Sequence, residues 1–319
     1  MIWRCVFTFL VGVVLTRHAV VFSRGIGAID VPRDWRRMHR VSTPRAGGVA
    51  ILLAFLIGTG VQGLAERTSG ALLFGTLAVF AVGLWDDVRS LPPLSKLAAE
   101  LIGALGTLLM SGERDLFRIV LSCLWLLLLT NAHNMIDGLD GLLAGCGAIE
   151  AAALGALLML GGRGESAALA WLLTAALLGF RVFNRAPACI FAGDCGAGCV
   201  GFLLGGLSLP LLFSTTATTG ILSPLLVFAY PLTDLFAAVL RRSLRGRSPF
   251  AADRGHLHHR LCDTGLSRIA ATRVLLLLTG GLSTLGVLVA ISGADAAAAI
   301  LSLTLAGFLF AVRERVLHQ

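Results

Sequence analysis

The sequence predicts an all-α, polytopic integral membrane protein, and three observations carry that prediction. Hydrophobic residues make up 56% of the 319 residues and charged residues only 14%, against about 25% charge in an ordinary soluble domain. Mean hydropathy is +0.86, more apolar surface than a soluble fold of this length can hide. Glycine is abundant, at 38 residues, which suits membrane helices that pack backbone to backbone. The same composition excludes a disordered chain, a disulfide-rich secreted scaffold and a coiled coil.

Taken in order, the apolar runs fall at about 3–22, 47–64, 70–85, 94–111, 116–131, 139–160, 166–182, 198–216, 219–240, 269–291 and 296–312. Each is near the length a helix needs to cross a bilayer. Residues 3–22 lack a small-residue cleavage signal and read as a retained first span. About eleven transmembrane helices leave only loops and helix ends from which to build a site, so 1–319 reads as a single membrane-embedded domain. Eleven spans also place the termini on opposite sides.

The charge pattern orients these spans. Of the 26 basic residues, all are Arg except Lys96. Numbering the loops alternately puts nineteen of them on one side, in 23–46, 86–96, 131–138, 181–197, 241–268 and the C-terminal tail, and five on the other. Basic residues stay cytoplasmic, so the N-terminus is expected outside and the C-terminus in the cytoplasm. The net charge of +8 therefore reports topology, and no nucleic-acid partner is expected. The seven cysteines form no Cys-x-x-Cys motif and read as free thiols.

Acidic, His and Asn residues gather on that same face, which topology alone does not explain. Asp86-Asp87 ends the third span, and adjacent carboxylates at a membrane boundary call for a cation or a proton. Lys96 follows, suited to snorkelling or to a phosphate. Asn131-x-x-Asn134-x-x-Asp137-Gly-x-Asp140-Gly offers oxygen ligands with glycines that admit close backbone approach, or simple caps for the next span. Asn184 begins a segment ending in Gly193-Asp194, where one carboxylate and free amides would meet at a helix start. Asp253-Arg254-Gly-His256-Leu-His258-His259 would cradle a diphosphate and a sugar, with zinc binding and a solvated loop as alternatives. A basic loop carrying Arg36, Arg37 and His39 ends in Pro44-Arg45-Ala-Gly-Gly, suited to an anionic lipid or nucleotide.

These five segments, in this order, resemble the polyprenyl-phosphate N-acetylhexosamine-1-phosphate transferases, on the WecA/TagO-like branch of the MraY superfamily, over about residues 25–268. His133, Cys195 and Ala197 depart from the usual pattern. The resemblance implies a bacterial cytoplasmic-membrane enzyme with its active site on the cytoplasmic face. It would transfer a sugar-1-phosphate from a UDP-N-acetylhexosamine to undecaprenyl phosphate, release UMP and initiate an envelope glycan of the O-antigen or teichoic-acid type. It implies Mg2+, with Mn2+ as a substitute, held by Asp194 and Asn134. Asp86, Asp87, Lys96, Asp137 and Asp140 would form the catalytic set. Arg45, Asn131, Asn184, Arg254, His256, His258 and His259 would bind substrate. A homodimer is left open. The rival readings are another Mg2+-dependent membrane prenyltransferase, which would want an Asp where Ser90 stands, and a polytopic transporter.

Overall fold

The computed structural model describes residues 1–31, 42–60, 67–214, 220–248, 251 and 253–292. Arg36, Arg37 and His39, the expected span at 296–312 and the C-terminal tail lie outside the described residues. Among these residues the chain forms twelve helices and one minimal hairpin. The helices are α1 (Ile2–Gly25), α2 (Gly48–Gly60), α3 (Arg67–Val88), α4 (Pro93–Ser111), α5 (Leu116–Ile136), α6 (Leu142–Leu160), α7 (Gly164–Asn184), α8 (Gly193–Leu212), α9 (Leu222–Val227), α10 (Ala229–Leu244), α11 (Leu257–Asp263) and α12 (Arg268–Ser292). Eight of them, α1, α3 to α8 and α12, are long and apolar enough to cross a membrane. The chain is thus an all-α, multi-pass membrane protein.

α8 is the axis of the bundle. It packs against α2, α3, α5 and α6, and most of its side chains are buried. Its Gly-rich sequence permits this. At Gly201 a methyl group would collide with the main chain of Leu129 and Thr130 on α5, so the two helices meet backbone to backbone. α1, at the other extreme, exposes most of its apolar surface, including Ile2, Trp3 and Val21, as expected of a helix facing lipid.

Two features differ from the expected run of spans. Within the expected span at 219–240, the described residues 220–240 form not one helix but two, α9 and α10, meeting at Phe228 and Ala229. Pro231 explains the break: it has no N–H to donate to the carbonyl of Val227, four residues earlier. Ser283 on α12 donates its hydroxyl to that carbonyl instead, at 3.5 Å. The second difference is the hairpin, β1 (Ile29–Asp30) paired antiparallel with β2 (Thr43–Pro44). It delivers the chain to a further main-chain zipper, in which Phe191 donates to Pro44, Gly47 to Phe191 and Gly48 to Ala192. This zipper lays the Pro-Arg-Ala-Gly-Gly segment beside the start of α8.

Candidate active site

The zipper fixes Arg45 next to Asp194. Asp194 sits in the first turn of α8, just after Gly193, whose φ of +75° is a left-handed conformation open chiefly to glycine. A side chain at Gly193 would also strike the Arg45 carbonyl and the Asp87 carboxylate. The turn therefore brings three segments, remote in sequence, to van der Waals distance.

Five charged side chains and one helix terminus interlock there. Arg45 donates from Nε to Asp87 at 2.8 Å and from Nη2 to Asp194 at 2.8 Å. Lys96 donates to Asp194 at 2.9 Å and to Asp86 at 3.1 Å. Asp87 also accepts the main-chain N–H groups of Asp194 and Cys195, at 2.9 and 3.0 Å. Its carboxylate thereby satisfies the otherwise unpaired first amides of α8 and opposes the positive end of the helix dipole. Asp86 accepts the main-chain N–H of Leu91, which holds the bend between α3 and α4. The adjacent carboxylates thus have the cations that their placement demanded.

The three carboxylates are not equivalent. The Asp87 side chain is 0% exposed, that of Asp86 8% and that of Asp194 21%. Asp87 is a buried fixture, whereas Asp194 and Lys96 open onto a cavity of about 610 Å³. Burial opposes the positive charge of Arg45, but Asp87 and Asp194 outweigh it and hold its pKa raised.

Asn131 and Asn134 line the same cavity. They belong to the last turns of α5, which runs on to Ile136, so this segment is helical up to the point where the turn begins at Asp137. Burial, reinforced by the charges of Asp194 and Asp87, pushes Asp137 up to about 7. The turn packs at Gly138 against the ring of His258. Neither Asp137 nor Asp140 caps α6 with its side chain; Gly141 is the N-cap.

The His-rich segment is held from a direction the sequence did not indicate. His256 lines the cavity, and its Nδ1 donates to Asp234 on α10 at 2.8 Å. The other oxygen of Asp234 accepts the main-chain N–H of Leu257 at 2.8 Å. His258 and His259 are buried. Burial, then the charges of His259 and His256, push His258 down to about 3. Burial, then Arg254, lowers His259. Arg254 itself lies 3.6 Å from Asp263, and Asp253 is held by Arg241 at 2.8 Å.

Two expected site residues are placed elsewhere. Asn184 is buried and donates its side-chain amide to the carbonyl of Ile190 at 2.8 Å, which closes the loop before α8. Asp140 accepts the main-chain N–H of Ala188 in that loop at 3.0 Å. Both shape the segment that presents Asp194; of the expected set, Lys96, Asn131, Asn134, Asp194 and His256 line the cavity, while Arg45, Asp86, Asp87, Asp137, Arg254, His258 and His259 do not. Conversely, Glu100 was missed. It follows Lys96 by one helical turn, lines the cavity and accepts a hydrogen bond from Asn131; the four-residue spacing on one helix face was the available signal. Beyond the charged end, the cavity is walled by Val79, Val82, Leu97, Leu124, Leu127, Leu128, Phe236 and Val239.

The sequence profile described as glycosyl transferase family 4 matches residues 69–212, the stretch from α3 through α8. A probable undecaprenyl-phosphate N-acetylglucosaminyl 1-phosphate transferase of Bacillus subtilis is 31% identical over 79% of this chain and 75% of its own. A decaprenyl-phosphate N-acetylglucosaminephosphotransferase of Mycolicibacterium smegmatis is 32% identical over 82% of this chain and 75% of its own. An undecaprenyl-phosphate alpha-N-acetylglucosaminyl 1-phosphate transferase of Escherichia coli is 27% identical over 83% of this chain and 77% of its own. With identity of this extent over about four-fifths of its length, the chain belongs to glycosyl transferase family 4, among the polyprenyl-phosphate hexosamine-phosphate transferases.

Proposed function

We propose that this protein transfers N-acetylglucosamine-1-phosphate from UDP-N-acetylglucosamine to undecaprenyl phosphate, releasing UMP. The observation that carries this reading is the cavity's division into a Lys96/Asp194 head and a leucine- and valine-lined body. A polyprenyl phosphate has the same division, with a charged head on an apolar tail. The names of the relatives supply the donor sugar and the acceptor class.

In this reading a lipid phosphate oxygen attacks the β-phosphorus of the nucleotide sugar. The bond from that phosphorus to the bridging oxygen breaks, and UMP carries the bond's electrons away. Positioning and charge neutralisation dominate such a transfer. Lys96 meets the phosphates, and Arg45 holds Asp194 in place from the opposite side. Asp86, buried but bonded to Lys96 on the cavity wall, is the carboxylate suited to orient or deprotonate the lipid phosphate. Asp87 holds the α8 amides. His256, His258, His259 and Arg254 border the sugar phosphate, and the turn at Asp137 borders the nucleotide.

Mg2+ fits the donors present. Asp194 is the most exposed of the three carboxylates, Asn134 is exposed on the same cavity, and both offer the hard oxygens that Mg2+ prefers. Among the described residues no three His, Cys, Asp or Glu side chains form a ready-made cage, so diphosphate and water would complete the shell. When bound, the ion would neutralise the diphosphate charge.

The topology that accompanies this reading has eleven spans in the bacterial cytoplasmic membrane, with the active site and the C-terminus in the cytoplasm. The arginine asymmetry supports it. The product would start an envelope glycan of the O-antigen or teichoic-acid type.

The test uses UDP-N-acetylglucosamine labelled with 32P at the β-phosphorus and 3H in the sugar. Purified protein with undecaprenyl phosphate is expected to move both labels together into the lipid phase. Movement of 3H alone would contradict sugar-phosphate transfer. Label taken up into vesicles without entering lipid would indicate transport.

A further inference from the structure

His133 and Glu150 form a second polar centre, wholly enclosed and outside the cavity. Both side chains are 0% exposed, and His133 Nε2 lies 2.7 Å from Glu150 Oε2. His133 Nδ1 lies 2.8 Å from the main-chain carbonyl of Leu129. A carbonyl can only accept, so Nδ1 carries a hydrogen. The contact between Nε2 and Oε2 therefore needs one further proton, held by one partner or the other. Either way the pair is net neutral and bears one shared proton, which is the form in which such groups tolerate burial.

The location of the pair gives it a consequence. His133 stands in the last turns of α5, between Asn131 and Asn134, both of which face the cavity. Glu150 stands two turns into α6. Between them runs the turn that carries Asp137 and Gly138. The backbones of α5 and α6 approach each other little, and the His133–Glu150 contact is a direct side-chain hydrogen bond between the helices on either side of that turn. We infer that the His133–Glu150 pair is a positioning clamp for the nucleotide-sugar end of the site, fixing Asn134 and the Asp137 turn relative to Asp194. Neither residue touches substrate. The lipid-binding walls on α3, α4 and α10 do not carry the clamp, and the α5 wall residues Leu124, Leu127 and Leu128 precede His133 by more than one helical turn. The inference rests on the transfer reaction proposed above.

The experiment compares steady-state kinetics of the parent, His133→Ala, Glu150→Ala, Glu150→Gln and the double alanine variant, in detergent with undecaprenyl phosphate. Each single alanine variant is expected to raise KM for UDP-N-acetylglucosamine by about tenfold, leaving KM for the lipid within about twofold. Glu150→Gln keeps a donor for His133 Nε2 and is expected within about threefold of the parent in both constants. The double variant is expected to lose no more than either single one, because one interaction is removed only once. A purely structural role would lower the amount of folded enzyme without separating the two KM values. Equal rises in both constants, additive losses in the double variant, or a Glu150→Gln enzyme as impaired as Glu150→Ala would each overturn the clamp. Should the alanine variants not fold, Glu150→Gln carries the test, since parent-like kinetics are required of it. An inactive parent in the same assay would instead contradict the transfer reaction itself.

Discussion

Asp87 accepts the main-chain N–H of Asp194 at 2.9 Å, so the buried carboxylate of one motif is the helix cap of another. The same carboxylate holds Arg45, which reaches on to Asp194. Asp87 is thus a structural centre, while Asp194 is the carboxylate of the three that opens onto the cavity. Asp87→Ala leaves two α8 amides without their partner and Arg45 with Asp194 as its remaining carboxylate. It is expected to destabilise the fold by about 3–5 kcal/mol, the usual range for breaking a buried ion pair. Asp86→Asn is expected to keep near-parent stability while losing transfer. Thermal unfolding in detergent, run beside the transfer assay, separates the two.

Lys96 bridges Asp86 and Asp194 at the mouth of the apolar cavity. Lys96→Met keeps the aliphatic stem but removes the charge that would face the phosphates. Transfer is expected to fall by about a hundredfold or more, the scale of losing one preorganised electrostatic contact. Single-turnover rates at saturating substrates would measure this.

Asp140 serves as the contrast. It holds Ala188 in the loop before α8 and does not line the cavity. Asp140→Ala is expected to cost about 1 kcal/mol of stability, the net value of a typical hydrogen bond. Its transfer rate should fall far less than that of Asp86→Asn. A loss equal to that of Asp86→Asn would restore Asp140 to the catalytic set.

The motif residues that meet at Asp194 were legible in the sequence because the chemistry demands them there. Asp86-Asp87 required a cation, and the chain supplies Arg45 and Lys96. Their partners from apolar segments were not legible. Asp234 lies within a hydrophobic run, and its partner His256 comes from a loop 22 residues away. Glu150 lies in α6 among alanines and leucines, and nothing near it in sequence announces His133. Asn184 and Asp140 were legible as polar residues of a motif, but their partners are main-chain groups of the loop at 185–192, and a residue pattern does not reveal main-chain pairing.

Burial holds His258 neutral, pushed down to about 3, whereas an unfolded histidine titrates near 6.5. The unfolded chain therefore binds the extra proton first as pH falls. This contribution to stability is complete above about pH 6.5 and declines toward pH 3, by at most about 1.4 kcal/mol per pH unit. Thermal unfolding of the parent should show this decline, and His258→Gln should flatten it. An unchanged slope in His258→Gln would place the titration on other groups.

Direct attack of the lipid phosphate on the nucleotide sugar requires both substrates to be bound together at the Lys96/Asp194 head. One phosphoanhydride is exchanged for another, so the equilibrium constant should lie within about tenfold of unity, about 1.4 kcal/mol. The most direct measurement is exchange of labelled UMP into UDP-N-acetylglucosamine by the purified protein, with and without undecaprenyl phosphate. Ready exchange is expected when the lipid is present and none when it is absent. Exchange without any lipid acceptor would reveal a sugar-phosphoryl enzyme and contradict direct attack.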